Sequence, residues 1–203
     1  MLKTTFLNLI KKYSDNNNVA NNMWSEIESH YTNKKRYYHT LKHLEELLNH
    51  LLNVKDKIQN WETILFSLYY HDIIYNSLKS DNEVKSAEFA KKQMMKISVP
   101  SQIINSCKKQ IIATKDHAFS QDNDTNYFID ADLSILGQEW DTYKNYIKHI
   151  RKEYSIFPNI IYKKARKKVI NHFLEMERIY KTNYFFDKFE QEAKTNLKKE
   201  LEI

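Results

Sequence analysis

Residues 61–75 limit the possible folds of this chain more than any other segment. Their sequence is WETILFSLYYHDIIY, and between Glu62 and His71 nearly every side chain is aliphatic or aromatic. At helical spacing these side chains surround the helix axis, a pattern typical of a helix that other helices bury on all sides. The segment therefore predicts a central helix over residues 61–75 of a helical bundle.

Glycine and proline are scarce, and their scarcity supports an all-α fold. The 203 residues include one glycine and two prolines. A strand-rich protein needs turn glycines at regular intervals, and Rossmann and P-loop sites need glycine-rich loops. We therefore predict an all-α protein, a single-domain helical bundle that covers residues 1–203.

Cysteine content and hydropathy predict a cytoplasmic protein without a membrane partner. Cys107 is the only cysteine, which excludes an intrachain disulfide and a multi-cysteine metal site. No apolar run reaches the ~18 residues of a membrane span, and the N-terminus lacks the pattern of a signal peptide. The net charge of +6 allows acidic partners. The lysines alternate with acidic residues along the chain, however, which is typical of solvated helix faces and disfavours nucleic acid as the partner.

One imidazole and one carboxylate stand side by side in the predicted central helix. Burying His71 and Asp72 costs several kcal/mol unless a partner compensates them. A metal ion is an economical partner for this pair. Asp132 is a third candidate, because in the helix predicted over residues 126–136 it falls within the apolar arc, whereas Asp130 falls outside it and is expected to be solvated or to support a ligand. Gly137 is expected to end that helix.

Two further histidines lie on the helix predicted over residues 38–54. His39 and His43 are four residues apart, so the spacing predicts that they share a polar stripe beside the leucine face. His39, His71, Asp72 and Asp132 then form a set of nitrogen and oxygen ligands. Such a set suits Mn, Fe, Co, Ni, Zn or Mg and does not select among them.

The order of these motifs resembles the HD-domain superfamily of metal-dependent phosphohydrolases, and in particular a bacterial branch of predicted hydrolases. Its H…HD…D pattern matches at all four proposed ligand positions. Further matching elements are YHTLKH at residues 38–43, DNEVKSA at 81–87, ATKDH at 113–117, DADLSILG at 130–137, IRKEY at 150–154 and IYKT at 179–182. The resemblance covers about residues 36–200, which leaves residues 1–35 as N-terminal helices packed on the HD-type core.

The resemblance implies that His39, His71, Asp72 and Asp132 bind one divalent metal ion, with room for a second ion left open. It implies hydrolysis of a nucleotide or other small phosphoester, with a metal-bound hydroxide as the nucleophile. His43 shares a face with His39, so it either contacts the substrate or a second metal, or lies on the surface.

Several residues near these motifs are candidates for supporting roles. Arg36 and Lys85 are expected to offset negative charge on the phosphoryl oxygens, and Asp72 or Glu83 to accept the proton of the attacking water. His117 contacts phosphate or a second metal, or interacts with the dipole of its helix end. The alternative function is a non-catalytic helical module that binds a nucleotide or an acidic partner and uses a structural metal site.

Overall fold

The computed structural model describes residues 1–203 and contains ten α-helices and no β-strand, which confirms the predicted all-α class. None of these helices is both long enough and apolar enough to cross a membrane. Short 3-10 helices cover Lys55–Lys57 and Leu133–Gly137. The α-helices are α1 (Leu2–Lys11), α2 (Asn17–Tyr31), α3 (Leu41–Leu52), α4 (Trp61–Tyr70), α5 (Asn82–Lys96), α6 (Ser101–Ala113), α7 (Asn123–Asp132), α8 (Trp140–Glu153), α9 (Asn159–Glu175) and α10 (Asn183–Leu201).

Internal contacts divide the chain into two compact units, Met1–Ile129 and Asp130–Ile203. The division lies inside α7, which is one continuous helix that begins in the first unit and ends at Asp132. The prediction of one domain over residues 1–203 is not tested by this division and stays a prediction.

Helix α4 is the centre of the first unit. It packs against α1, α3, α5 and α6, and every side chain from position 63 to position 70 is buried. The Asn60 side chain caps its first turn by accepting a hydrogen bond from the Thr63 amide. This arrangement confirms the prediction of a central helix buried on all sides.

Helix α4 ends five residues earlier than predicted, at Tyr70. The amide N–H of Asp72 donates to the Tyr31 hydroxyl at 3.3 Å, and that of Ile74 donates to the Ser86 hydroxyl at 3.1 Å. Because these donors find partners in α2 and α5, they do not need helix carbonyls, and the backbone leaves the helix. The imidazole–carboxylate pair therefore lies at the C-terminal end of α4 rather than in its middle.

Helix α3 begins at Leu41, three residues later than predicted. Its N-cap Thr40 has an extended backbone with φ of −114° and ψ of 179°. His39 therefore precedes the helix and His43 belongs to its first turn, so that the prediction of one shared helical stripe is wrong. The two rings approach each other through the bend of the chain, with their centroids 5.9 Å apart.

In the second unit, α10 packs against α9 and against the 3-10 helix Leu133–Gly137. The same 3-10 helix also contacts α8. The 3-10 helix that follows α7 ends at Gly137, which confirms that this residue ends the helical segment, and its φ is not positive. A Cβ at this position would lie 2.5 Å from Cβ of Phe189 and 2.7 Å from its carbonyl oxygen. Glycine is required here because α10 passes too close for any side chain.

Candidate metal centre

Three imidazoles of the first unit surround one carboxylate oxygen. Oδ2 of Asp72 lies 3.1 Å from Nε2 of His71, 3.8 Å from Nε2 of His39 and 4.0 Å from Nε2 of His43. The side chains of His71 and His43 are 1% and 5% exposed, whereas those of His39 and Asp72 are each 17% exposed. The cluster is therefore closed on the α3–α4 side and open to solvent on the side of His39.

A backbone carbonyl sets the orientation of His71. Its Nδ1 lies 3.0 Å from the carbonyl oxygen of Leu68, one turn back in α4. Because a carbonyl oxygen can only accept, Nδ1 carries the proton and Nε2 presents a lone pair to the cluster. This pattern is common among metal-binding histidines, since a second hydrogen bond fixes the tautomer and the ring orientation.

His43 lies at the centre of the cluster rather than at its margin. Leu44, Leu47 and the other leucines of α3 pack into the core, and His43 shares their buried face. Its Nε2 lies 3.2 Å from Nε2 of His71. Of the possibilities that the sequence leaves open for His43, a surface position is wrong, because burial between core leucines brings its ring to His71.

Arg36 holds the two segments that carry His39 and Asp72. Its Nη1 donates to the carbonyl oxygen of His39 at 3.1 Å, and its Nη2 donates to that of Ile73 at 2.9 Å. The guanidinium also stacks 4.7 Å above the Tyr31 ring, and the residue is 9% exposed. These bonds make Arg36 a positioning residue, since a bidentate guanidinium can join two carbonyls at once.

Asp132 is the last residue of α7, the helix that begins in the first unit. Asp132 is half-buried, and its role as a metal ligand stays a prediction. The nearby ring of Phe128, also on α7, meets the His71 ring edge-on with centroids 5.7 Å apart.

The donor set and its spacing fit a divalent transition metal. Nitrogen and carboxylate ligands bind such ions at about 2.0–2.2 Å, so two donors on one ion are at most about 4.4 Å apart. The separations of 3.1, 3.2, 3.8 and 4.0 Å all fall within this limit. Imidazole nitrogen suits Zn, Fe, Co and Ni better than it suits Mg.

The proposed substrate-side residues of α5 lie outside the cluster. Lys85 is half-exposed and pairs with Asp81 at 2.9 Å, one turn away on its own helix. Glu83 lies in the first turn of α5 and forms no hydrogen bond or ion pair. No hydrogen bond or ion pair joins either side chain to the three histidines, and their catalytic roles stay predictions.

His117 and Asp130 occupy constrained positions. His117 follows α6 with a φ of +49°, an uncommon value for a side chain other than glycine, and its role stays a prediction. The expectation of a solvated Asp130 is wrong, because this residue is fully buried in the second unit. Its carboxylate accepts the amide N–H groups of Lys181 and Thr182 at 2.8 and 2.7 Å, together with the Thr182 hydroxyl. Desolvation raises the pKa of Asp130, and these hydrogen bonds oppose the rise.

Sequence reasoning missed two contributors to the site, Tyr31 and Phe128. Tyr31 accepts the amide N–H of Asp72 and stacks on Arg36, yet it lies at the end of α2, before the first of the matching motifs. Phe128 forms a wall of the cluster beside His71. No local pattern marks either residue, because both roles depend on which helices become neighbours.

Comparison of the chain with protein-family models, with curated proteins and with solved structures finds no match.

Proposed function

We propose that this protein is a cytoplasmic metal-dependent phosphohydrolase that acts on a nucleotide or another small phosphoester. The observation that carries the proposal is the convergence of two buried imidazole nitrogens, from His43 and His71, on the carboxylate of Asp72. Burying such groups together costs several kcal/mol unless a cation compensates them. The motif order that resembles HD-domain phosphohydrolases supports the reaction class.

His43, His71 and Asp72 would hold the ion, and Asp132 stays the fourth ligand that the resemblance implies. A divalent ion in such a set lowers the pKa of a coordinated water and polarises a phosphoryl oxygen. His43 thereby takes the ligand position that the resemblance gives to His39, because its Nε2 lies 3.2 Å from Nε2 of His71 and its side chain is 5% exposed, against 17% for His39.

We assign His39 to acid–base work on the substrate. Its imidazole is the most exposed of the three, stacks on the Tyr75 ring at 4.2 Å, and keeps Nε2 3.8 Å from Oδ2 of Asp72. An imidazole in this position can give a proton to a departing alkoxide and regain it through Asp72. Arg36 fixes the backbone of His39, so that the ring stays at the open side of the cluster.

The first experiment is elemental analysis of protein purified without chelator or metal-affinity resin. We expect about one transition metal per chain in the wild type, and loss of that metal in His43→Ala and His71→Ala. His149→Ala is the matched control, because His149 is a half-buried histidine of the second unit outside the cluster. Protein that contains no metal, and takes up none from Mn, Co, Ni or Zn solutions, would refute the proposal.

The second experiment separates His39 from the metal ligands. His39→Ala is expected to keep its metal and to lower the turnover of an aryl or nucleoside phosphate by about 100-fold or more, the usual effect of losing a general acid. Loss of metal in this variant would instead make His39 a ligand. If the wild type and His39→Ala both hold metal but neither hydrolyses a phosphoester, the result would favour the non-catalytic binding module.

A further inference from the structure

Large aliphatic side chains are exposed together at the turn between α8 and α9. Ile156, Ile160 and Ile161 expose 63%, 85% and 56% of their surface. All three lie within six residues of one another, at one end of a helical hairpin in the second unit. Exposed aliphatic side chains that cluster in this way mark an interaction surface.

The turn is held in one conformation by Arg151. Its guanidinium donates to the carbonyl oxygens of Tyr154 at 2.8 Å and Phe157 at 3.0 Å, and to Oδ1 of Asn159 at 2.7 Å. It also stacks on the Tyr162 ring at 4.8 Å. The isoleucines are therefore presented by a fixed turn, so that binding through them requires little further ordering.

Helix α9 is strongly basic behind this turn. Residues 159–174 contain five Lys and Arg side chains and no acidic residue, while the whole chain has a net charge of +6. Lys164, Lys167 and Lys168 are exposed and form no ion pair. Lys164 lies one turn beyond Ile160 on the same face. Only two side chains of the 17-residue helix are buried.

We propose that the α8–α9 turn binds the surface of an anionic lipid bilayer, with the three isoleucines inserted among the acyl chains and the lysines of α9 at the headgroups. Apolar side chains at a tip with lysines behind them match the polarity of this interface, and each lysine near an anionic leaflet adds attraction. The cytoplasmic leaflet carries such a charge. The proposal departs from the prediction of no membrane partner. That prediction rested on the lack of an apolar run long enough to span a bilayer, which does not bear on binding at the bilayer surface.

The same residues disfavour nucleic acid as the partner. Both arginines of the hairpin are engaged within the second unit, because Arg151 holds the turn and Arg166 pairs with Glu200 at 2.7 Å. Isoleucine offers no aromatic face on which a base could stack. The exposed groups that remain are aliphatic side chains and ammonium groups, and a lipid surface satisfies both.

A cleft beside the turn has a similar composition. It has a volume of about 400 Å³ and lies among α8, α9 and the end of α10. Ile147, Ile170 and Leu201 form apolar walls, and Lys163 and Lys167 add positive charge. The Glu200 carboxylate, which also lines the cleft, is paired with Arg166 at 2.7 Å. Its size falls within the range of small-ligand sites, and its walls suit an acyl chain next to an anionic headgroup.

Vesicle sedimentation of the full chain tests the proposal. We expect binding to phosphatidylcholine vesicles that contain phosphatidylglycerol and little binding to phosphatidylcholine alone. The double substitution Ile160→Ser and Ile161→Ser should raise the lipid concentration for half-maximal binding by about ten-fold or more. Lys164→Gln and Lys168→Gln should each raise it by about five-fold.

Matched controls carry the same changes elsewhere on the surface. Met95→Ser with Ile112→Ser removes exposed apolar side chains from α5 and α6, and Lys3→Gln with Lys11→Gln removes two charges from α1. Both controls should bind vesicles as the wild type does.

Three results would each overturn the proposal. They are equal binding to neutral vesicles, equal losses in the control variants, and binding to duplex DNA but not to vesicles. All the substituted side chains are exposed, so we expect every variant to fold as the wild type does. Circular dichroism of each variant tests whether a loss of vesicle binding instead reflects unfolding.

Discussion

Arg36→Lys is the substitution that tests most directly how this chain builds its cluster. Arg36 joins the carbonyl oxygens of His39 and Ile73, two groups that belong to different segments of the first unit. A lysine keeps the positive charge but is a single donor point, so it cannot serve both carbonyls in this geometry. One nearly buried carbonyl is then left without its charged partner.

The expected loss follows from that one hydrogen bond. A hydrogen bond to a charged group contributes about 1.5–3 kcal/mol, and leaving a buried acceptor unpaired costs a similar amount. We therefore expect the free energy of unfolding to fall by about 2–3 kcal/mol. In a chain of this size such a change lowers the melting temperature by roughly 4–12 °C.

The same substitution should loosen the metal site without removing a ligand. His39 and Asp72 would lose the bridge between their segments, and outer residues that orient ligands commonly alter metal affinity by about 10–100-fold. Denaturant unfolding gives the first quantity, and titration of the metal-free protein with Zn or Co gives the second.

Arg178→Lys is the matched control for this experiment. Its guanidinium donates to Oδ1 of Asn183 at 3.2 Å in an exposed position and stacks on Phe186, so its replacement should change stability by about 0.5 kcal/mol or less. If Arg36→Lys unfolds at the same denaturant concentration as the wild type and binds metal equally well, the positioning role of Arg36 is wrong.

Three further predictions concern residues outside the cluster. Gly137→Ala should destabilise the protein by about 1–3 kcal/mol in denaturant unfolding, because the added methyl group meets the backbone of Phe189. The Lys12 ammonium lowers the pKa of Glu62, so this carboxylate adds stability above its ordinary pKa of 4.5 that is lost as pH falls below it. Glu62→Gln should flatten that part of the pH–stability curve by about 1 kcal/mol or less, because the pair is largely exposed. Burial raises the pKa of Cys107 to about 12, so a thiol reagent at pH 8 should react with it only in unfolded protein.

Much of the fold could be predicted from local sequence. Residues 61–70 are apolar on every side, and the structure buries this helix among four others. The pattern of this one helix is sufficient to predict its burial, since a helix without a polar face has to be covered by other elements. The scarcity of glycine likewise excludes the turns of a β-protein, which is why the all-α class follows from composition.

The members of the cluster could be predicted less well than the fold. The sequence marks His39, His43, His71 and Asp72 as candidates, but helical spacing places the first two on one stripe. The start of α3 at Leu41 separates them and directs His43 into the core. Helix boundaries depend on where backbone donors find partners, and those partners come from other elements.

The sequence by itself determined the helical class, the buried central helix and the residue types that can bind a metal. Only the tertiary structure decided that His43 meets His71, that Arg36 serves two carbonyls and that Asp130 is buried against the backbone of residues 181–182. The physical reason is distance along the chain. Periodicity reports the faces of one helix. Apart from the bond between Arg36 and His39, these contacts join groups 28 to 52 residues apart, and whether such groups meet depends on how whole elements pack.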